Sequence, residues 1–395
     1  MRYLFPILSL IAVLSSCGGG TSGGGSATAS SIQVVSSLGS SQSSVGLGSS
    51  ASSTIQTSSS SQSSSNPFAE LEGRLQVEFD DESINGLTGM TLMIFNNQDE
   101  KIFEKNLGDF NSDRTVAVAS ASKWVSGTVL LSLVGKNQIS LDDTTGNILN
   151  WTKNSTVNLK QLLSFTSGLD NENICLYAAI FTFEECVALI GASDPLGLPA
   201  TRYDYGGTHL EVAGRMAEVV TGKSWKTILN EELLIPLGLD LSINYYAQPL
   251  NANGTQNPMI AGGMRISMNQ YAKILQLIYH KGLWKNGDQE AQLIPADLFD
   301  EQAKMPYPNV IIGNVPPSAP DGVRYGLSAW LECATPAQGC EKMSSAGAFG
   351  FTPWIDRETG YYAILGMEYE DANGFGFRTE QSIQPLIEAV LNNSL

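Results

Sequence analysis

The sequence predicts an α+β fold in which strands from both ends of one domain form a single antiparallel sheet. Strand patterns occur early in the domain, at 89–95 and 101–105, and return towards its end. The region between, about 141–302, is dominated by helical periodicity. Because strand runs and helical runs are segregated rather than alternating, we expect a sheet flanked by helices with an inserted, mainly helical subdomain.

Each element has a local justification. The apolar run 89–95 is followed by Asn96-Asn97, a turn signal, and then by 101–105, which predicts a hairpin. Apolar residues at helical spacing predict further helices at 159–165, 211–220, 225–234, 269–279 and 380–391. Apolar runs bounded by turn residues predict the late strands at 325–332, 342–346, 351–356 and 361–367.

The sequence of the N-terminus is typical of a targeting segment rather than of part of the folded domain. Arg2 is followed by an apolar stretch, 4–14, that is too short to span a bilayer, and then by Leu14-Ser15-Ser16-Cys17. This pattern resembles a bacterial lipoprotein signal, which implies that residues 1–16 are a lipoprotein signal peptide and that Cys17 carries lipid. Gly18 after the cysteine favours the outer membrane by the same resemblance. The alternative is an ordinary signal peptide with a chance cysteine.

A tether and one large domain follow. Residues 17–66 are rich in serine and glycine and nearly uncharged, so they cannot bury enough apolar surface to fold, and we expect a flexible linker. Residues 67–395 are long enough for a substantial core. The formal net charge of −17 argues against nucleic acid or an anionic membrane surface as a partner. The expected location is the bacterial cell envelope, on its periplasmic or surface face.

Four cysteines lie inside the domain, and export would allow them to form disulfides. They permit three connectivities, and proximity along the chain favours Cys175 with Cys186 and Cys333 with Cys340. A zinc site is the alternative reading. It is weak, because no Cys-x-x-Cys occurs and the two histidines of the chain, His209 and His280, lie far from both pairs.

The candidate catalytic motif is Ser120-Ala121-Ser122-Lys123, the single Ser-x-x-Lys of the sequence. It follows an apolar approach and precedes a run long enough for a buried helix, and positions three apart share a helix face. Lys123 could therefore reach the Ser120 hydroxyl and act as its base, provided that burial or a second cation lowers the pKa of the amine. The alternative is that Ser120 is an ordinary helix cap.

Three further stretches of the chain resemble the motifs of one protein family and occur in the same order. The first stretch, 135–143, follows the predicted nucleophile helix. The second, 162–169, is similar to a Leu-Leu-x-His-x-Ser-Gly-Leu signature and has Phe165 in place of the histidine. The third is the Gly-Gly turn at 261–264. They resemble the serine β-lactamase and penicillin-binding-protein-like superfamily, especially the branch of class C β-lactamases, family VIII-type esterases and D-aminopeptidases. The resemblance covers nearly all of residues 85–390.

The family's second motif, Tyr-x-Asn, is represented by Tyr205-Gly206-Gly207. By resemblance Tyr205 is a general base or proton relay, and a cation at Lys123 would be needed to lower its pKa. Tyr203 is the second choice, since the register could shift by two residues. Gly207 stands where the family has asparagine and removes an amide that would help to position an acyl group.

The third motif is represented by Ser345-Ala346-Gly347, followed by Ala348. By resemblance these three residues bind substrate, and the backbone amides of Ser120 and Ala348 form the oxyanion hole. The family's lysine is absent from the triplet, so a charge-assisted bond to a substrate carboxylate is lost unless Arg265 or Arg378 replaces it.

Together these patterns predict a serine hydrolase that forms an acyl-enzyme with a small ester or amide substrate and is biased towards neutral acyl groups. A D,D-peptidase or β-lactamase acting on cell-wall-like amides is the first alternative. A non-catalytic binding module of the cell envelope with the same fold is the second. Neither a metal nor an organic cofactor is implied. Because the chain has two histidines, Ser120-Lys123-Tyr205 is a simpler catalytic set than a Ser-His-Asp triad. His209 could approach the site. His280, at the end of a helical run, is expected to be a charge partner for the C-terminal end of that helix.

Overall fold

The computed structural model describes residues 66–393 apart from 82, 83, 85, 288, 317, 318, 320, 321, 336, 337 and 373. The predicted signal peptide, Cys17 and all of the predicted linker except Asn66 lie outside these residues. All described residues belong to one compact unit.

Strands come from both ends of the domain, as predicted. In chain order the described strands are β1 Gly89–Asn96, β2 Lys101–Gly108, β3 Val116–Ala117, β4 Arg202–Tyr203, β5 Asn244–Tyr245, β6 Met264–Ile266, β7 Leu283–Asn286, β8 Gln289–Gln292, β9 Ile311–Ile312, β10 Trp330–Leu331, β11 Lys342–Ser344, β12 Thr352–Asp356 and β13 Tyr361–Gly366. The main sheet has the order β10-β11-β12-β13-β1-β2 and is antiparallel throughout. The predicted α+β class is therefore confirmed.

Helices fill the middle of the chain and both faces of the sheet. They are α1 Ala69–Phe79, α2 Ser122–Gly135, α3 Thr145–Leu149, α4 Leu159–Leu163, α5 Phe183–Ala192, α6 Thr208–Thr221, α7 Trp225–Leu229, α8 Met268–Tyr279, α9 Ala296–Gln302 and α10 Phe375–Asn393. A π-helical turn, Asn230–Leu234, continues α7. No helix in the described part of the chain is both long and apolar enough to cross a membrane.

The side-chain alternation of the sheet separates two apolar layers. Met93 and Ile364, paired across β1 and β13, face the large core that contains α2 and α8. Ile94, on the opposite face, packs in a smaller core with Leu75 of α1 and Ile387 of α10. Removing a buried aliphatic side chain of this kind costs roughly 2–5 kcal/mol, so both terminal helices are anchored to the sheet.

Turn chemistry accounts for the β1–β2 hairpin. The Asn96 side-chain oxygen accepts the backbone N–H groups of Gln98 and Glu100, each at 3.0 Å. Asp99 takes a left-handed conformation with φ of 66°. An asparagine that bonds its own downstream backbone is a common turn device, and it explains why Asn96 ends the strand as predicted.

Some predicted boundaries are wrong for local reasons. The strand predicted at 325–332 is reduced to β10, because Ser328 has a left-handed φ of 69° and interrupts the extended run. The helix predicted to reach Phe165 ends at Leu163, and Phe165 also has a positive φ, 57°. The last helix begins at Phe375, earlier than predicted, and α1 was not predicted.

Both predicted cysteine pairs form disulfides. Cys175 and Cys186 join a 3₁₀ turn, Ile174–Tyr177, to α5, with Cα atoms 5.3 Å apart. Cys333 and Cys340 are joined with Cα atoms 5.7 Å apart. All four sulfurs are therefore used in disulfides rather than in the zinc site considered as the alternative. Within the described ranges, no group of three or more acidic, cysteine or histidine side chains is arranged to hold a metal ion.

Candidate active site

Ser120 lies at a sharp backbone junction. The short strand β3 pairs with β6 and leads into a 3₁₀ turn, Ala119–Ala121, from which α2 continues directly. Ala119 has a φ of 45°, a left-handed conformation that is rare for alanine and that persists only where the surroundings enforce it. The turn presents Ser120 to a cavity of about 430 Å³.

Lys123 lies in the first turn of α2, one helical turn beyond Ser120. Its ammonium donates to the Ser120 hydroxyl oxygen at 3.1 Å and to the carbonyl oxygen of Ala261 at 2.8 Å. Only 4% of the side chain is exposed. Burial lowers the pKa of Lys123 to about 8, although the carboxyl groups of Glu172 and Glu211 oppose the shift. The lowered pKa is the condition that a lysine base must meet.

Tyr205 completes the group around Ser120. Its hydroxyl is hydrogen-bonded to the Ser120 side chain, and the Lys123 nitrogen lies 4.8 Å from its ring centroid. The ring stacks on Trp330, with centroids 5.2 Å apart, and meets Phe165 edge-on at 5.4 Å. These contacts fix the ring, so the three predicted catalytic side chains, Ser120, Lys123 and Tyr205, lie together.

The surroundings of Tyr205 favour one of its two expected roles, the proton relay. A phenolate base would need a lowered pKa, but burial raises the pKa of the phenol, and the charge of Glu172 raises it further. The hydrogen bond with Ser120 lowers the pKa less than burial raises it. Tyr205 is therefore a neutral hydroxyl near neutral pH, suited to relaying a proton, and Lys123 is the group that can accept one.

The register of the second motif favours Tyr205 over Tyr203. Tyr203 is 1% exposed and packs among aromatic rings, and its hydroxyl has no hydrogen-bond partner among the described residues. Tyr203 does not line the cavity, whereas Tyr205 and Gly207 do.

Gly207 leaves space next to a carboxyl group. Its backbone N–H donates to Glu172 Oε1 at 3.0 Å. A Cβ atom at Gly207 would lie 2.9 Å from the end of the Leu176 side chain and 3.5 Å from Glu172 Oε2. The Tyr177 hydroxyl donates to the same Oε2 at 2.8 Å. Where the resembling family has an amide side chain, this chain therefore presents the carboxyl group of Glu172.

The third motif contacts the backbone of Ser120. The Ser345 hydroxyl donates to the carbonyl oxygen of Ser120 at 3.1 Å. A Cβ atom at Gly347 would lie within 2.3 Å of the Val118 carbonyl oxygen, so glycine allows this close approach. Ser345, Ala346 and Gly347 do not line the cavity, whereas Ala348 does. Ser345 therefore holds the backbone of the nucleophile rather than facing a substrate as expected.

The cavity wall is largely apolar, and its described lining residues include one lysine, Lys123, and one acid, Glu172. Burial raises the pKa of Glu172, and the charge of Lys123 opposes that shift. Arg265 and Arg378, the cations considered as replacements for the missing lysine, do not line it. Arg265 donates instead to the carbonyl oxygens of Pro249 at 2.8 Å and Thr115 at 3.1 Å. No described cation other than Lys123 is therefore placed to bind a substrate carboxylate in this cavity.

The two histidines have structural contacts. His209 is fully buried between the Ser167 hydroxyl and the carbonyl oxygen of Asp204, both at 2.8 Å, and stacks on Phe165. Burial lowers its pKa to about 4, and it does not line the cavity. His280 caps the end of α8 and contacts Asp99 at 2.8 Å.

Two acids that influence the pKa of Lys123, Glu172 and Glu211, were not predicted from the sequence. Glu172 lies in a loop that has no motif. Glu211, in the first turn of α6, is 1% exposed and accepts the N–H of Ala261 at 3.4 Å, the same residue whose carbonyl holds Lys123. Its pKa is raised well above the usual range by burial. From the sequence, an acid in the first turn of a helix is expected to stabilise that helix through its dipole. The contact of Glu211 with Ala261, 50 residues away, is seen only in the folded structure.

Comparison with known proteins supports the motif-based resemblance. The profile of the family described as Beta-lactamase matches residues 79–376. Penicillin-binding protein 4 of Amycolatopsis lactamdurans is 29% identical over 146 residues, which are 33% of this chain and 36% of that protein. The chain thus aligns with little more than a third of that relative's length.

Two solved structures show the same architecture. One, from Bacteroides dorei DSM 17855, is provisionally described as a beta-lactamase; it has 27% identity and a TM-score of 0.70 and covers 82% of this chain and 99% of its own. The other, EstCE1, is a hydrolase with promiscuous acyltransferase activity; it has 15% identity and a TM-score of 0.59 and covers 79% of this chain and 98% of its own. At that identity the second comparison concerns the fold alone.

Proposed function

The chain belongs to the Beta-lactamase family, and from this membership we propose that it is an exported serine hydrolase that forms an acyl-enzyme on Ser120 and acts as an esterase on neutral acyl substrates. Members of this family are generally serine hydrolases. The observation that carries the proposal is the Lys123 amine, buried with a pKa of about 8 and 3.1 Å from the Ser120 hydroxyl oxygen.

Acylation begins with removal of the Ser120 proton. Neutral Lys123 accepts it directly or through the Tyr205 hydroxyl, while the Ser120 oxygen attacks the ester carbonyl carbon. The carbonyl π electrons move to oxygen, and the backbone amides of Ser120 and Ala348 stabilise that oxyanion. A donor of this type typically contributes about 10²–10³-fold in rate.

Collapse of the tetrahedral intermediate breaks the bond to the leaving group. Tyr205 gives its proton to the departing oxygen and regains one from Lys123, so the proton count balances. Water then attacks the acyl-enzyme with the same groups acting as base, and Ser120 regains its proton when the acid departs. Apart from the substrate and water, each step uses only residues of this chain.

Substrate charge separates the esterase from its first alternative. β-Lactams and D-Ala-D-Ala peptides carry a carboxylate near the reacting bond, and a charge-assisted bond to it is worth roughly 1.5–3 kcal/mol. Among the described lining residues Lys123 is the single cation, and as the base it must be neutral to react. This supports esters without a nearby carboxylate over cell-wall amides.

The testing experiment is steady-state hydrolysis of short-chain p-nitrophenyl esters and of nitrocefin by the full chain and its Ser120→Ala variant. We expect ester turnover that Ser120→Ala lowers by about 10⁴-fold or more, with nitrocefin much slower. An exposed serine, Ser242, supplies the matched control Ser242→Ala, which should keep full activity. Wild-type ester turnover no faster than that of Ser120→Ala would refute the esterase.

The proposed location is the bacterial outer membrane, through lipid on Cys17. Support comes from the signal-like segment and the Ser- and Gly-rich stretch after it. Metabolic labelling with a clickable fatty acid should mark the wild-type chain and leave Cys17→Ser unmarked. Equal labelling of the two chains would contradict the lipid anchor.

A further inference from the structure

We propose that Asn314, which lies outside the motifs named above, is a positioning residue for Tyr205. Asn314 does not line the cavity. It holds the main chain of Tyr205, so that the phenol hydroxyl stays within reach of Ser120. The inference rests on the proposed function, in which Tyr205 relays the Ser120 proton, and it assigns to that step a residue 109 positions away in the sequence.

The first support is a pair of hydrogen bonds on the two sides of Tyr205. The backbone N–H of Tyr205 donates to the backbone carbonyl oxygen of Asn314 at 2.9 Å. The side-chain amide of Asn314 donates to the carbonyl oxygen of Tyr205 at 2.7 Å. One residue therefore bonds both main-chain polar groups of Tyr205.

The second support is the strand pairing that leads to these bonds. The short strand β9 pairs in parallel with β4, and its residues Ile311 and Ile312 lie opposite Arg202 and Tyr203. The N–H of the following residue, Gly313, donates to the carbonyl oxygen of Tyr203 at 2.8 Å. The bonds made by Asn314 thus continue the pairing past the end of β4 and carry it to the catalytic tyrosine.

The third support is the ion pair that fixes Asn314 itself. The Arg202 guanidinium donates to both oxygens of the buried Asp204 carboxylate, and the N–H of Asn314 donates to Asp204 Oδ1 at 2.8 Å. Such a two-pronged, charge-assisted contact has a defined geometry. A Cβ atom at Gly313 would lie 2.0 Å from Asp204 Oδ1, so glycine allows the segment to pass this close to the ion pair.

Tyr205 needs this main-chain support in addition to its ring contacts. The stacking on Trp330 and the edge contact with Phe165 set the plane of the ring. Offset stacking leaves the ring some freedom to slide within that plane. Proton relay needs the hydroxyl within roughly 2.6–3.2 Å of its partner, and a displacement of about 1 Å can cost about 10²-fold in rate. The bonds from Asn314 oppose that displacement.

The side chain of Asn314 can be changed without opening the core. Asn314 is exposed overall, so its truncation leaves no buried cavity. The two bonds made by its main chain remain in Asn314→Ala, and the one bond lost is that to the Tyr205 carbonyl oxygen. Asn314→Asp keeps the shape of the side chain but replaces the N–H donor with an acceptor oxygen.

The first measurement is steady-state hydrolysis of p-nitrophenyl butanoate by the full chain and its variants. We expect Asn314→Ala to lower kcat about tenfold with KM changed by less than about twofold, and Asn314→Asp to lower kcat at least as much. Asn97, an exposed asparagine of the β1–β2 turn that does not line the cavity, supplies the control Asn97→Ala, which should keep the wild-type kcat. Thermal unfolding followed by circular dichroism checks that each variant is folded at the assay temperature.

A double-mutant cycle with Tyr205→Phe separates positioning from a general structural role. Tyr205→Phe lacks the hydroxyl whose placement matters, so adding Asn314→Ala to it should change kcat by less than about twofold. A structural role would instead lower kcat by the same factor in both backgrounds.

The outcomes distinguish this inference from the proposed function. Wild-type kcat in Asn314→Ala, or equal losses in the two backgrounds, overturns the role of Asn314. If wild-type hydrolysis still depends on Ser120 in that case, the proposed esterase stands. A Tyr205→Phe variant with wild-type kcat removes the relay, and the role of Asn314 with it, but leaves Ser120 and Lys123 in place. Wild-type turnover no faster than that of Ser120→Ala overturns both proposals.

Discussion

Two walls of one cavity differ in how closely they follow the family pattern. The nucleophile wall, Ser120, Lys123 and Tyr205, keeps the residues that the resemblance requires and holds them within hydrogen-bond reach. The recognition wall, Glu172, Tyr177 and Gly207, replaces the family's amide with a glycine and a nearby carboxyl group. The difference is consistent with the proposed function, in which the reactive groups are those of the family and the binding of the acyl group differs.

After Ser120→Ala, the largest effect is expected from removing the base of the nucleophile wall, Lys123. Lys123→Met keeps most of the unbranched side chain but removes the amine, so Ser120 has no group of lowered pKa to accept its proton. We expect kcat/KM for a neutral ester to fall by about 10³-fold or more. Lys273, an exposed lysine of α8, gives the control Lys273→Met, which should retain activity. A loss of less than tenfold in Lys123→Met would show that Lys123 is not the base.

The pH dependence of kcat/KM also tests whether Lys123 is the base. Neutral Lys123 is the reactive form and its pKa is about 8, so kcat/KM should rise about tenfold for each pH unit below 8 and level off above it. Initial rates at low substrate between pH 6 and 9.5 measure this. In Lys123→Met the residual rate should lose this inflection. A wild-type profile that falls as pH rises through 8 would contradict a lysine base.

Tyr205 should matter less than Lys123, because Lys123 also contacts Ser120 directly. We expect Tyr205→Phe to lower kcat by about 10²-fold with little change in KM. Tyr203→Phe is the matched control, since the Tyr203 hydroxyl has no described hydrogen-bond partner, and it should change kcat by less than about twofold. Equal losses in the two variants would mean that Tyr205 acts only by packing.

The smallest effect tests whether the two walls are independent. Gly207 has helical dihedral angles that an asparagine can adopt. A Cβ atom there would lie 2.9 Å from the end of the Leu176 side chain, which must shift to accommodate it. Gly207→Asn should raise kcat/KM for p-nitrophenyl hippurate about tenfold relative to the valerate ester, because it restores an amide beside the acyl group. Gly222→Asn, at an open helix end, should leave that ratio unchanged. If Gly207→Asn instead abolishes turnover of both esters, the walls are not separable.

Local sequence signals were sufficient for part of this site. The three-residue spacing of Ser120 and Lys123 places them on one helix face without knowledge of the fold. The hydrophobic patterns at both ends of the domain similarly identify one shared sheet, because strand and helix periods differ. Tyr205 required the order of several motifs, since a tyrosine in a loop has no local signature.

The rest depends on contacts between distant segments. Glu211 acquires its role from Ala261, and Ser345 turns towards the Ser120 carbonyl rather than towards the cavity. The pKa of Tyr205 follows from how deeply the fold buries it, which the neighbouring residues in sequence do not specify. Glu172 lies in a loop whose position is set by the Cys175–Cys186 disulfide and by Gly207, on a different element.

The most direct test of the account is covalent labelling of the nucleophile. The full chain would be incubated with a fluorophosphonate probe, digested and sequenced by tandem mass spectrometry, alongside Ser120→Ala and Ser242→Ala. We expect one adduct, on Ser120, at equal occupancy in wild type and Ser242→Ala and absent from Ser120→Ala. No adduct in the wild type, or an adduct that persists in Ser120→Ala, would contradict an acyl-enzyme on Ser120.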